Sequence, residues 1–238
     1  TGIMDSTLTN GKERGLEDRL ERLRDITVAT NKATAEVLGI EQSVATTCVK
    51  PSGTVSQLVD AASGIHARHN LHYIRTVRAD KKDPLAKAMV DAGFPVEDDV
   101  TKPEHTYVFS FPMHAEPKAV FRTDKTAIEQ LELWLIYQKH WCEHKPSVTI
   151  SVKEHEWMGV GAWVYDNWDW MSGVSFLPFS DHTYRQAPYQ DCTKKEYEDF
   201  KKKMPKDVDW YALLSKYEFS DMTEGAQELA CVAGGCEI

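Results

Sequence analysis

The sequence predicts an α/β fold, and three observations carry that prediction. Between Leu16 and Pro178, segments of helical period alternate with short β-branched or aromatic runs bounded by turn residues. Apolar residues make up 42% and charged residues 27% of the 238, the balance of a chain that encloses a core. No stretch approaches the roughly 20 consecutive apolar residues of a membrane span, and no signal-peptide pattern opens the sequence. Strands separated by helices imply a largely parallel sheet, because each helix carries the chain back to begin the next strand.

The elements follow in order. "NGKERGLEDRLERLRDITVATNKATAEVLGI" sets Leu16, Leu20, Leu23, Ile26, Val28 and Ala33 at helical spacing and stops near Gly39. "SVATTCV", between Gln42 and Pro51, reads as a buried strand with Cys48 as a small core residue. "GTVSQLVDAA" is a short helix or turn, and "HYIRTVRA" alternates as a strand does. "DPLAKAMVDAG" has Asp83 as N-cap, Pro84 at the first helical position and Gly93 as its stop. "TYVFSF" is a strand, and "TAIEQLELWLIYQKHWCEH" is a long amphipathic helix opened by Thr126 and Glu129 in capping-box spacing. "SVTISV" is a strand, "EHEWMGVGAWVYDNW" a glycine-interrupted helix, and "MSGVSFLP" a strand ended by Pro178. Trp157, Trp163, Tyr165, Trp168 and Trp170 read as core. After Pro178 the alternation fails: a loop-like "FSDHTYRQAPYQDC" leads to short helices in "KKEYEDFKKK" and "WYALLSKYEF". The tail from Ser220 holds little apolar content.

A net charge of −9 argues against non-specific nucleic-acid binding along a basic face. Five irregularly spaced cysteines argue against a secreted disulfide framework and for a reducing compartment. In "CVKPSGTVSQLVDAASGIH" a strand runs through Pro51, Ser52, Gly53, Thr54, Val55 and Ser56 into a helix start. Hydroxyls, a glycine that admits close backbone approach, and the unpaired N–H groups of a helix start together suit a phosphate. An ordinary Ser/Gly-rich turn with an N-cap fits the same residues, and the Gly-Lys-Ser/Thr ending of a Walker A loop is absent. His66, Arg68, His69, His72, Arg75 and Arg78 follow. Steps of three do not converge on one ion from a helix or a strand, so these residues suggest a positive rim or a solvated face rather than a metal site.

Cys231 and Cys236 stand in "ELACVAGGCEI" at the end of the chain. In a helix five residues advance about 500°, leaving the thiols ~140° apart. A bridge therefore needs a non-helical turn, for which Gly234 and Gly235 supply the freedom. Such a bridge would close a tiny loop and tie down nothing else, so it suits thiol exchange better than structural stapling. Two unrelated surface cysteines are the other reading.

Taken together, "KPSGTVSQLVDAASGIH", "GVSFLP", "HTYRQAPYQ" and "ELACVAGGCEI" resemble the C-terminal part of a ribonucleotide reductase. The likeness is nearest to the adenosylcobalamin-dependent (class II) branch and its phage-like monomeric members, and it runs along nearly the whole chain. It implies the second half of a ten-stranded α/β barrel over residues 1–190, a short helical region over 191–219 and a flexible redox tail over 220–238. It implies that Ser52, Gly53, Thr54, Val55 and Ser56 hold the phosphates of a ribonucleotide substrate. Cys231 and Cys236 would be the shuttle that re-reduces the active-site disulfide and is itself reduced by thioredoxin or a similar dithiol donor.

Adenosylcobalamin would be the cofactor of the complete enzyme, which makes deoxyribonucleotides for DNA synthesis in the cytoplasm. The family's Asn-x-Cys-x-Glu-type motif around the radical cysteine is absent. The radical cysteine, most of the cobalamin pocket and the specificity site are therefore expected on an upstream half, joined or separate, and the chain alone is expected to be inactive. Thr1, with its nucleophilic hydroxyl, would suit the first residue after an excised intein. Two other readings stay open: a non-enzymatic complementation module, and a stand-alone phosphate- or nucleotide-binding α/β protein with a thiol-reactive tail.

Overall fold

The computed structural model describes residues 1–53, 55–179 and 185–217. In chain order its elements are α1 (Leu16–Leu38), α2 (Val55–Leu58), β1 (His72–Asp80), α3 (Pro84–Asp91), β2 (Val96–Asp98), β3 (Thr106–His114), α4 (Ala127–His140), β4 (Ser147–Val152), α5 (Trp157–Asp166), β5 (Gly173–Pro178), β6 (Tyr189–Asp191), α6 (Lys194–Lys201) and α7 (Trp210–Leu214). They fall into two compact units, Thr1–Leu71 with Ala115–Asp181, and His72–His114 with the residues from His182 onward. Among the described residues no helix is long and apolar enough to cross a membrane.

The first unit is built on β4 and β5, which pair in parallel from Ser147↔Gly173 to Val152↔Pro178 with α5 between them. Val148, Ile150 and Val152 alternate inward along β4, the period of a strand with one covered face. Gly173 is required where the strands meet, since a β-carbon there would stand 2.7 Å from the Pro146 carbonyl oxygen. Helix α4 starts at the expected capping box: Thr126 Oγ1 accepts from Glu129 N, and Glu129 Oε2 accepts from Thr126 N at 2.7 Å. Its Leu131 and Trp134 are fully buried, and Trp134 Nε1 donates to Pro146 O at 3.1 Å. Helix α1 ends as expected at Gly39, in the left-handed conformation. Of its apolar stripe only Leu16 and Leu20 are buried, while Leu23, Ile26 and Val28 are exposed.

Two expectations for this unit need correction. Residues 43–49 form no strand, and Cys48 is exposed rather than core. The reason is a pairing distant in sequence: Glu143 Oε2 accepts from Thr46 N at 2.8 Å and Thr47 N at 3.2 Å, taking N–H groups that a ladder would need. The aromatic cluster is also mostly outside. Trp163 faces the core with Val160, whereas Tyr165 is 82% and Trp168 70% exposed.

The second unit is a four-stranded sheet in the order β2-β3-β1-β6, antiparallel throughout. The expectation of largely parallel strands therefore holds only for β4 and β5. Alternation of helix and strand did not reveal direction here, because α3 leads into β2 and β2 turns straight back along β3. Asp83 caps α3 as expected, its Oδ1 accepting from Leu85 N at 2.8 Å, with Pro84 in the first turn.

Candidate functional site

The candidate phosphate loop begins at Pro51 and ends in α2, a single turn of helix. Ser52 N donates to Ser63 Oγ at 2.8 Å, and the buried Ser56 hydroxyl donates back to Ser52 O at 2.9 Å. Those two groups are therefore committed to holding the loop. What remains for a ligand is the Ser52 hydroxyl, 3.3 Å from Thr1 Oγ1, and the backbone at Gly53 and Val55. A β-carbon on Gly53 would meet nothing within 4 Å, so that backbone is openly approachable. Ser52, Gly53, Val55 and Ser56 stand together by sequence at the start of α2. Thr54, Cys231 and Cys236 lie outside the described residues.

Of the supports beneath the loop, His66 and Arg68 are read from the sequence as part of a rim or solvated face, and Asp5, Asp60 and Gly64 carry no sequence signal. Gly64, at φ +54°, lies so close to the loop that a β-carbon would stand 2.7 Å from Lys50 O. Arg68 is 7% exposed and grips two carboxylates, Asp5 at 2.8 Å and Asp60 at 3.0 Å. Asp5 Oδ2 also accepts from Ala62 N at 2.7 Å, which fixes the far side of the loop. His66 lies with Nδ1 3.0 Å from Ser63 O and Nε2 3.0 Å from Thr149 N of β4. A carbonyl only accepts, so the bonding pattern assigns the proton to Nδ1 and leaves Nε2 to accept from Thr149. Burial holds the His66 pKa below its ordinary value, which agrees with a neutral ring.

The expected positive rim is not what these cations form. Arg68 is used up in its ion pairs. In the second unit Arg78 Nε binds Asp99 Oδ2 at 2.7 Å, and the Arg75 guanidinium stacks 4.3 Å from the Tyr189 ring centroid. Hydrogen bonds from the Thr101 hydroxyl, then from Arg78, hold the Asp99 carboxyl well below the usual carboxylate range. His72 packs edge-on against His114 and Tyr197. The described part of "HTYRQAPYQ" is held firmly: Gln186 is buried at φ +60°, accepting from Val100 N and donating to Asp98 O, while Thr76 Oγ1 donates to Ala187 O at 2.9 Å.

At the C-terminal ends of β4 and β5, Phe179 N donates to Val152 O at 2.8 Å, and Arg122 and Lys153 lie 5.4 and 5.5 Å from the Phe179 ring centroid. Sequence reading missed these two cations, which no local motif marks. Burial pushes the Cys142 thiol up to about 12, and burial followed by Glu196 and Asp191 raises that of Cys192. Neither is a ready thiolate for exchange.

The first unit is thus of the parallel βαβ class and carries a serine- and glycine-rich loop, and among the described residues neither Cys142 nor Cys192 is an activated thiol. The chain is homologous along nearly its whole length to part of the adenosylcobalamin-dependent (class II) ribonucleotide reductases, as the sequence resemblance implied. It is 32% identical over 232 residues to the adenosylcobalamin-dependent ribonucleoside-triphosphate reductase of Euglena gracilis, covering 96% of this chain and 31% of that protein. It is 26% identical over 223 residues to the reductase of the same name from Lactobacillus leichmannii, covering 92% of this chain and 30% of that one. A probable reductase of this kind from Dictyostelium discoideum is 34% identical over 169 residues, 68% of this chain and 22% of the relative.

The crystal structure of a B12-dependent (class II) ribonucleotide reductase matches with a TM-score of 0.73 at 25% identity, over 86% of this chain and 29% of that one. The chain thus spans about a third of the length of the relatives it matches. No protein-family model matches it.

Proposed function

We propose that this chain is the C-terminal part of a cobalamin-dependent ribonucleoside di- or triphosphate reductase that makes deoxyribonucleotides. In this reading it supplies the substrate-phosphate loop, Ser52 to Ser56, and the tail dithiol Cys231 and Cys236. That dithiol re-reduces the active-site disulfide and is recharged by thioredoxin or a similar donor in the cytoplasm. Residues 1–190 would form the second half of a ten-stranded barrel, 191–219 a helical region and 220–238 the redox tail. The observation that supports this best is the Lys50–Arg68 loop: its internal bonds use up the Ser52 N–H and Ser56 hydroxyl yet leave Gly53 open, on a chain homologous to these reductases.

Adenosylcobalamin is the cofactor named for the relatives, and in the complete enzyme it would supply the radical chemistry. No residue of this chain is assigned to it. The sequence also lacks an Asn-x-Cys-x-Glu motif, so the radical cysteine belongs to the upstream part.

The test is nucleotide reduction with adenosylcobalamin and a thioredoxin system, comparing this chain, the upstream part, the two mixed and the two fused. Activity is expected in the fused chain or the mixture and absent from this chain alone. Cys231→Ser should then abolish thioredoxin-driven turnover while a small dithiol still supports it. Turnover by this chain alone, or an inactive fusion with both parts folded, would overturn the proposal.

A further inference from the structure

The end of α5 leaves aromatic and acidic side chains together at the surface. Tyr165 and Trp168 expose 82% and 70% of their surface, and Asp166 and Asp169, each next in sequence to one of them, are also exposed. These four residues line an open concavity of about 550 Å³. Neither carboxylate forms an ion pair or hydrogen bond among the described residues.

Position makes the charge more telling. Asp166 is the last residue of α5, and the last turn of that helix contains no basic residue. The C-terminal carbonyls of a helix already carry partial negative charge, which favours a cation there and disfavours a carboxylate. Two aromatic faces, two unpaired carboxylates and a helix C-terminus therefore sum to one preference, for positive charge. Trp170, two residues beyond Trp168, already receives a cation: the Lys139 ammonium lies 4.6 Å from its ring centroid.

The geometry points to a docking site for an arginine-bearing segment of a partner polypeptide, whose guanidinium stacks on Tyr165 or Trp168 and pairs with Asp166 or Asp169. Arginine fits better than lysine because its planar head stacks on a ring and reaches a carboxylate with two N–H groups at once. The net charge of −9 on the chain would draw such a segment in. An anionic partner, whether nucleic acid or an acidic lipid surface, meets the wrong sign.

The probe is a blocked peptide, acetyl-Gly-Arg-Gly-Arg-Gly-amide, titrated against the chain by calorimetry and tryptophan fluorescence. Its citrulline twin keeps the shape without the charge. The arginine peptide should bind about tenfold more tightly than the citrulline peptide and weaken with added salt. The double substitution Asp166→Asn with Asp169→Asn should cost about tenfold, and Trp168→Leu a similar factor, with circular dichroism and melting temperature unchanged or slightly raised. Equal binding of the two peptides, or variants that bind like the parent chain, would overturn the proposal. So would self-association of the chain that the peptide disperses and the double variant lacks, since the occupant would then be a second copy. None of these readouts involves a nucleotide, so the result stands apart from the reductase reading.

Discussion

Gly53 and Gly64 lie eleven positions apart on the same loop and have opposite reasons to be glycine. At Gly64 the backbone is left-handed and a β-carbon would press on the Lys50 carbonyl, so Gly64→Ala combines conformational strain with a backbone clash. We expect it to cost about 2–4 kcal/mol in urea unfolding. At Gly53 the surrounding space is empty, and Gly53→Val should leave the melting temperature unchanged. In the complete reductase the same substitution should raise the KM for the ribonucleotide about tenfold with kcat little affected, because the loss is in binding alone. A Gly53→Val enzyme with parental KM would remove the loop from substrate binding. The residue scale thus separates a glycine that shapes the loop from one that leaves it open to a ligand.

At the scale of elements, His66 ties the loop to β4, and the tie depends on a neutral ring. Nε2 must accept from Thr149 N–H, and protonation would set two donors against each other. Burial lowers the folded-state pKa below 6.5, so between that lowered value and about 6.5 the unfolded chain binds more protons than the folded one. Stability contributed by His66 is therefore present above about 6.5 and falls as pH drops toward the folded-state value, by no more than about 1.4 kcal/mol per pH unit. Urea midpoints from pH 7.5 to 5 should show this decline, and His66→Gln, which keeps an acceptor without titrating, should flatten it. Equal slopes for the two proteins would refute the assignment.

The same element shows why the site was only partly legible. The hydroxyls and glycine of the loop are adjacent in sequence, as are the caps at Asp83 and Thr126, and local chemistry announces them. The partners that fix the loop are not adjacent: Asp5 bonds to Arg68 across 63 positions and His66 to Thr149 across 83. Likewise, residues 43–49 have the composition of a strand, but Glu143, 97 positions from Thr46, occupies their donors.

For the molecule as a whole, the relevant fact is apolar surface left in water on a chain about a third as long as its relatives. Val37 is 86% exposed, Leu38 and Ile40 63% each, and Val44 100%, all within one short stretch after the packed start of α1. Single exposed apolar residues are ordinary, but a contiguous group of this kind marks a contact surface. Under the proposed reading, that contact is the remainder of the reductase. Burying such side chains fully stabilises an assembly by about 1.5–3 kcal/mol each. Changing Leu38, Ile40 and Val44 together to serine should therefore weaken association with the upstream part by at least about a hundredfold. The melting temperature of this chain alone should stay nearly the same, since all three side chains are mostly exposed in it. Sedimentation of the mixed parts reads the first quantity and calorimetry of the isolated chain the second. Undiminished association would mean that the two parts meet elsewhere and that this stretch faces water in their assembly too. A lower melting temperature would mean instead that these residues already pack within the chain.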